Sequence, residues 1–276
     1  MSVSPMRGTG SIEAATLPAA RSGLVTFVRD TGLITRRHLL RTWRTPQIMI
    51  FSALMPVMFV LLFRYVFGGA IHVPGYPNYV DYLIPGIVVQ TVLFGGSSTA
   101  VGMADDLASG MTDRLLSLPI RRGAILAART LGDLLRLTYT VALVIAIGLL
   151  VGFRFHAGVL PVAEGLAIAL LFGYACSWLF ALVALSVRHT ETAQMAAFLL
   201  TFPIVFASSI FASPATMPTW LRDFANAQPV TRVVDALRVL GEGTGPTTRP
   251  ALVALAWSAG ILVVAATAAT VRFRRG

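Results

Sequence analysis

The sequence predicts an all-α, polytopic membrane protein with six transmembrane helices, an N-terminal interfacial helix, an amphipathic cytoplasmic helix and a re-entrant helix at the outer rim. Three observations predict it. Of the 276 residues, 56% are hydrophobic and only 12% are charged, and mean hydropathy is +0.76, which is the balance of a membrane chain. Six apolar runs approach the roughly 20 helical residues needed to cross a hydrocarbon layer about 30 Å thick. The arginines gather at the ends of those runs rather than along one soluble face, so the net charge of +10 reflects membrane topology and not nucleic-acid binding.

Residues 1–23 mix Ser, Pro, Gly, Ala and Thr without periodicity and read as a flexible cytoplasmic tail, leaving 24–276 as one membrane domain. The first 46 residues hold seven arginines and no apolar stretch long enough for a signal-peptide core. Over residues 24–45 a basic helix is expected, with Arg37, Arg41 and Arg44 on one face and Leu39, Leu40 and Trp43 roughly opposite. Directly before a span, such a helix lies in the interface and snorkels towards anionic lipid headgroups.

The spans are expected at 48–67, 83–104, 134–153, 165–187, 193–212 and 251–271. Pro56 and Pro203 kink the first and fifth without disqualifying them. Arginines in the N-terminal segment, at 114, 121, 122 and 129, and at 272, 274 and 275 belong in the cytoplasm. Both termini are therefore expected inside. Residues 68–82 carry no arginine and face outward.

Two connections are amphipathic. Residues 105–118 (DDLASGMTDRLLSL) place Leu107, Met111, Leu115 and Leu118 along one helical face, with Asp105, Asp106, Asp113 and Arg114 elsewhere. Pro119 ends that helix, and Arg121 and Arg122 follow. Residues 229–240 put Val230, Val233, Val234, Leu237 and Leu240 on one face and Arg232, Asp235 and Arg238 on another, paired at i, i+3. Starting at Pro229, this stretch is too short to span, and a re-entrant or interfacial helix results.

Catalytic constellations are missing. His38, His72, His156 and His189 are scattered, no metal or cofactor motif appears, and Ser97 and Ser98 lack a nucleophile-elbow context. The small residues from Gly95 to Ala100 suit close helix packing instead. Cys176, the one cysteine, lies in an apolar run. The central parts of the expected spans carry no Asp, Glu, His or Arg, which weighs against an ion-coupled transporter or a voltage sensor. All 22 basic residues are arginine, so the lysine a P-loop requires does not exist, and any ATP-driven role needs a separate ATPase.

Residues 102–136, GMADDLASGMTDRLLSLPIRRGAILAARTLGDLLR, resemble the cytoplasmic loop of type-2 ABC exporter permeases, most closely those of the daunorubicin-resistance type. YLIPGIVVQ (82–90) and ANAQPVTRVVDALRVL (225–240) are similar to further family segments, with Gln228 where the family usually has Asn. The resemblance implies a half-transporter whose 105–118 helix is a coupling helix docked on a cytoplasmic ABC ATPase subunit. Asp105, Asp106, Met111, Asp113, Arg114 and Leu115 would contact the ATPase, and Arg121 and Arg122 would contact that partner or lipid headgroups. It also implies a second permease copy or homologous permease, an outer gate at Pro229, Arg232, Asp235 and Arg238, and a bacterial plasma (inner) membrane. The expected function is export of a hydrophobic or amphipathic compound, a drug or lipid-like molecule. A polysaccharide or glycolipid permease is the alternative, which Tyr174 and Trp178 at i, i+4 in one span would favour, and a membrane-embedded enzyme or scaffold ranks below both.

Overall fold

The computed structural model describes residues 29, 31–33, 35, 46–69, 71, 73, 75–76, 78–111, 117, 122–187, 189–243 and 245–275. Among these, every regular element is helical: α1 (Pro46–Leu62), extended by a π-turn at Phe63–Phe67; α2 (Tyr79–Ala108); α3 (Arg122–Leu150); α4 (Val159–Val187); α5 (Thr190–Phe206); α6 (Thr219–Ala227); α7 (Pro229–Glu242); and α8 (Thr248–Arg275). The expected tail and most of the N-terminal interfacial helix, Arg37, Arg41 and Arg44 included, lie outside the described residues. Positions 29, 31–33 and 35 are helical, and the Thr35 hydroxyl donates to the Ala128 carbonyl of α3 at 3.3 Å.

Four helical stretches are long and apolar enough to cross a membrane: α2, residues Gly123–Leu150 of α3, α4, and Thr248–Phe273 of α8. Ser52–Phe67 and α5 are shorter apolar helices. Where the sequence leads to expect six spans, the described residues hold four helices of spanning length and two shorter apolar ones. α2 and α4 form the centre; α3 and α5 flank α2, α1 packs on α3, and α8 lies against α4 and α7. Small residues let these helices close up. A Cβ on Gly96 would stand 3.0 Å from Cys176 Cβ, and one on Gly173 would stand 2.8 Å from Val92 Cβ. Cys176 is a free thiol buried in α4 at this contact.

Three sequence expectations are corrected. Residues 105–118 do not form one helix, because Asp105, Asp106 and Leu107 are the last turn of α2, which ends at Ser109 and Gly110. Gly110 adopts φ +68°, the left-handed conformation that ends helices and that glycine tolerates best. Its amide donates to the Leu107 carbonyl, and the Ser109 amide donates to Asp105. The helix of the third expected span begins at Arg122, so Arg129 and Asp133 belong to the same helix as Arg136 rather than to a loop. Finally, Arg238 is not on a solvated polar face of α7: it is 5% exposed, because residues of α2 and the turn after α5 close over it.

Candidate functional site

Two polar constructions stand out in this apolar bundle, one at each end. At one end, α5 stops at Phe206, three residues beyond Pro203, whose ring removes the amide that would serve the Leu199 carbonyl, and the last helical bond runs from the Ala207 amide to the Pro203 carbonyl. The chain then turns through residues 208–213 outside any helix. Non-helical backbone at membrane depth survives only where protein groups satisfy it. Here side chains do so. Gln228 Nε2 donates to the Ala207 carbonyl, the Tyr82 hydroxyl to Ser209 at 2.8 Å and the Tyr79 hydroxyl to Phe211 at 2.9 Å, while the Ser209 amide donates to Thr231 Oγ1 at 3.2 Å.

Arg238 completes this turn. Its Nη2 donates to the carbonyls of Tyr82 (3.0 Å), Ser209 (2.8 Å) and Ile210 (3.4 Å), and Nε donates to Tyr82 at 3.1 Å. The guanidinium carbon lies 3.5 Å from the Tyr82 ring centroid, a cation–π contact, and Nη1 lies 3.8 Å from Asp235 Oδ1. Burial lowers the guanidinium pKa, and Tyr82, Tyr76 and Asp235 offset that effect. A planar fork with five donors can hold three carbonyls at once, which a lysine ammonium on a flexible stem does less well. Gly86 makes the approach possible: a Cβ there would sit 2.6 Å from the Ile210 carbonyl oxygen.

At the other end a chain of charges joins α2 to α3. Arg129 Nη1 donates to Asp106 Oδ2, and its Nε lies 3.7 Å from Asp133 Oδ2. Asp133 also accepts from Thr99 Oγ1 at 2.7 Å and lies 3.6 Å from Arg136 Nη2, which donates to the Gly95 carbonyl at 3.1 Å and to Ser98 Oγ. The four charged side chains are only 13–18% exposed, so each charge has a partner where solvation is poor. Gly102 leaves the space for Arg129, since a Cβ there would come within 1.7 Å of Nη2.

Of the residues expected to couple to a partner, Asp105 is exposed, Asp106 is bound within the chain to Arg129, and Met111 is half-buried. Asp113, Arg114, Leu115 and Arg121 lie outside the described residues, and Arg122 is described only as the first residue of α3. In the expected outer helix, Pro229 opens α7, Arg232 is exposed, and Asp235 and Arg238 converge on the turn after α5. Sequence reasoning missed Tyr79, Tyr82 and Gln228 around the turn after α5 and Thr99 and Asp133 in the charge chain. Arg136 alone carried a signal, as an arginine within helical reach of Asp133.

Comparison with known proteins places these constructions in a family. The chain is 32% identical over 256 residues to the daunorubicin resistance ABC transporter permease protein DrrB1 of Streptomyces coeruleorubidus, covering 93% of this chain and 90% of that one. It is 27% identical over 260 residues to the probable doxorubicin resistance ABC transporter permease protein DrrC of Mycobacterium tuberculosis, covering 94% and 93% of the two chains. It is 24% identical over 222 residues to the putative transport permease ycf38 of Cyanophora paradoxa, covering 78% and 74%. The family model described as ABC-2 type transporter matches residues 29–240, which spans both polar constructions, and the chain belongs to that family.

Proposed function

We propose that this chain is the membrane subunit of an ATP-driven exporter that releases a hydrophobic or amphipathic compound, a drug or lipid-like molecule, from the inner leaflet or cytoplasm to the outside of a bacterial plasma membrane. The resistance permeases to which it is similar support the cargo class. A cytoplasmic ABC ATPase supplies the energy, because the chain has no lysine for a P-loop. Two permeases, identical or homologous, form the pathway. Each contributes six crossings, with α1 and α5 as the two short ones and both termini in the cytoplasm.

The observation that carries the reading is the charge chain from Asp106 to Arg136, which makes the cytoplasmic end of α2 and the inner half of α3 one mechanical unit. A push on the segment after Gly110 is delivered to both helices together. Residues 111–122 provide the surface for that push, with Asp113 and Arg114 as polar contacts, and the Arg238-bound turn is the outer element that yields.

Affinity purification of the tagged chain from native membranes, followed by mass spectrometry, tests the assembly. A stoichiometric P-loop ATPase is the expected companion; its reproducible absence removes the exporter reading. Charge reversal at Asp113 together with Arg114 is expected to abolish cargo-stimulated ATP hydrolysis while membrane insertion persists. Unchanged export by that double variant removes the coupling assignment.

A further inference from the structure

A groove of about 520 Å³ opens between the end of α5 and α6, a volume within the range of ligand sites. Pro203, Phe206 and Ala207 form one wall, and Trp220, Leu221 and Phe224 form the other. All six side chains are apolar or aromatic. An occupant reaches them directly, since Phe206, Phe224 and Trp220 are 45%, 49% and 73% exposed.

Polar contacts set the walls. Arg222 Nη2 donates to the carbonyls of Ala215 (3.2 Å) and Met217 (3.1 Å), which ties α6 to the turn preceding it. Gln228, the residue after α6, donates through Nε2 to the Ala207 carbonyl at the end of α5. Both ends of α6 are therefore fixed by hydrogen bonds, and its apolar side chains face an open space. The groove is there before any occupant arrives, so filling it costs little rearrangement.

The chemistry of the walls and of what adjoins them identifies the occupant. α6 turns Trp220, Leu221 and Phe224 to the groove and leaves Arg222, Asp223 and Asn226 exposed, while Ala225 is its one buried residue. The protein thus covers little of the apolar side of this helix, and water is a poor cover for an aromatic-lined groove. Tryptophan and arginine together on a short amphipathic helix are the composition of a membrane boundary. The facing wall continues along α5 as Phe202, Leu199 and Phe198, all exposed, so the groove runs without a polar break into an apolar arc of a membrane protein.

We propose that the groove holds one acyl chain of a phospholipid from the leaflet in which α6 lies, entering along the exposed arc of α5. A hydrocarbon chain is narrow and flexible enough to follow both walls, and it needs no hydrogen-bond partner there. It lies against Ala207, whose carbonyl Gln228 holds, and so becomes part of the packing that keeps the turn after α5 in place. Bulk lipid is as apolar as the groove, so preference for the site comes from dispersion contacts with preset walls and is modest, about fivefold.

The test uses the full chain, with whatever subunits co-purify, in phospholipid nanodiscs without ATP. A phosphatidylcholine with a diazirine in one acyl chain is added at rising mole fraction, and labelled residues are located by mass spectrometry. Val263, exposed on α8, reports bulk lipid. At low mole fraction, Phe206, Trp220 and Phe224 are expected to be labelled about fivefold more than Val263, and their labelling should saturate while that of Val263 keeps rising. Ala207→Phe puts a ring into the groove and should remove the excess without altering Val263, whereas Ala207→Ser should keep it. Labelling that rises in parallel with Val263 marks bulk lipid only, and absence of labelling at the three aromatics means that protein covers the groove; either overturns the proposal. So does an excess undiminished in Ala207→Phe. Loss of the excess once ATP turnover begins would mark cargo rather than a resident lipid and overturns it too. The saturation is read in the unaltered chain and without turnover, so it stands or falls separately from the exporter reading.

Discussion

Arg238 is a cation almost without solvent, and its value to the fold lies in the carbonyls it satisfies. Replacing it with methionine keeps much of the volume, removes the donors and leaves carbonyls of a buried turn short of partners. The expected cost is about 3 kcal/mol, read as a lowered unfolding midpoint in detergent; an unchanged midpoint would mean the turn holds itself. Two glycines on α2 sharpen the same point. Gly86→Ala drives a methyl into the Ile210 backbone, which cannot step aside, whereas the atom in the way of Gly95→Ala is the end of the Leu137 side chain. The first is expected to cost about 1–3 kcal/mol and the second less, since a rotamer change relieves it, and comparing the two midpoints checks the order. None of this was legible in the amphipathic pattern of residues 229–240. Periodicity places Arg238 opposite the valines, but it carries no trace of the carbonyls supplied by α2 and the turn after α5, and a buried arginine and a solvated one read the same in a single sequence.

At the scale of elements, the apolar runs gave α1–α5 and α8 their approximate places and the amphipathic pattern gave α7, whereas α6 left no such signal; helix ends followed hydrogen-bonding details that run lengths ignore. α3 begins twelve positions before the expected span because its N-terminal half is polar only along the line that meets α2. Hydropathy averages that line into a loop. Conversely, the spacing of Leu107 and Met111 runs unbroken across Gly110, and only the preference of glycine for left-handed backbone distinguishes a helix end there. The charge chain predicts energetic coupling between helices. In a double-mutant cycle on Asp106→Asn and Arg129→Gln, each single change strands a poorly solvated charge, so the double variant should be more stable than the sum of the singles by about 1–3 kcal/mol. Strict additivity in chemical unfolding would mean the pair contributes nothing. Gly102→Ala should mimic the loss of Arg129, because the new methyl occupies the place of its guanidinium.

For the whole molecule, membrane class and family were legible early, because composition, arginine placement and the 102–136 segment are properties of long stretches. The polar constructions were not, because each joins residues that are far apart in the chain. The proposed topology makes a direct prediction with exposed positions. Cysteines at Asn78, His156 and Thr248 should react with a membrane-impermeant maleimide on intact cells, and cysteines at Ser109 and His189 only after permeabilisation. The reverse pattern would invert the orientation, and a mixed pattern would change the number of crossings. Such an experiment usually begins by stripping a protein of its own thiols. Here Cys176 is sealed between α4 and the glycine face of α2. The native chain should therefore be dark to the reagent, supplying its own blank, and every introduced cysteine can be read against an otherwise unaltered sequence.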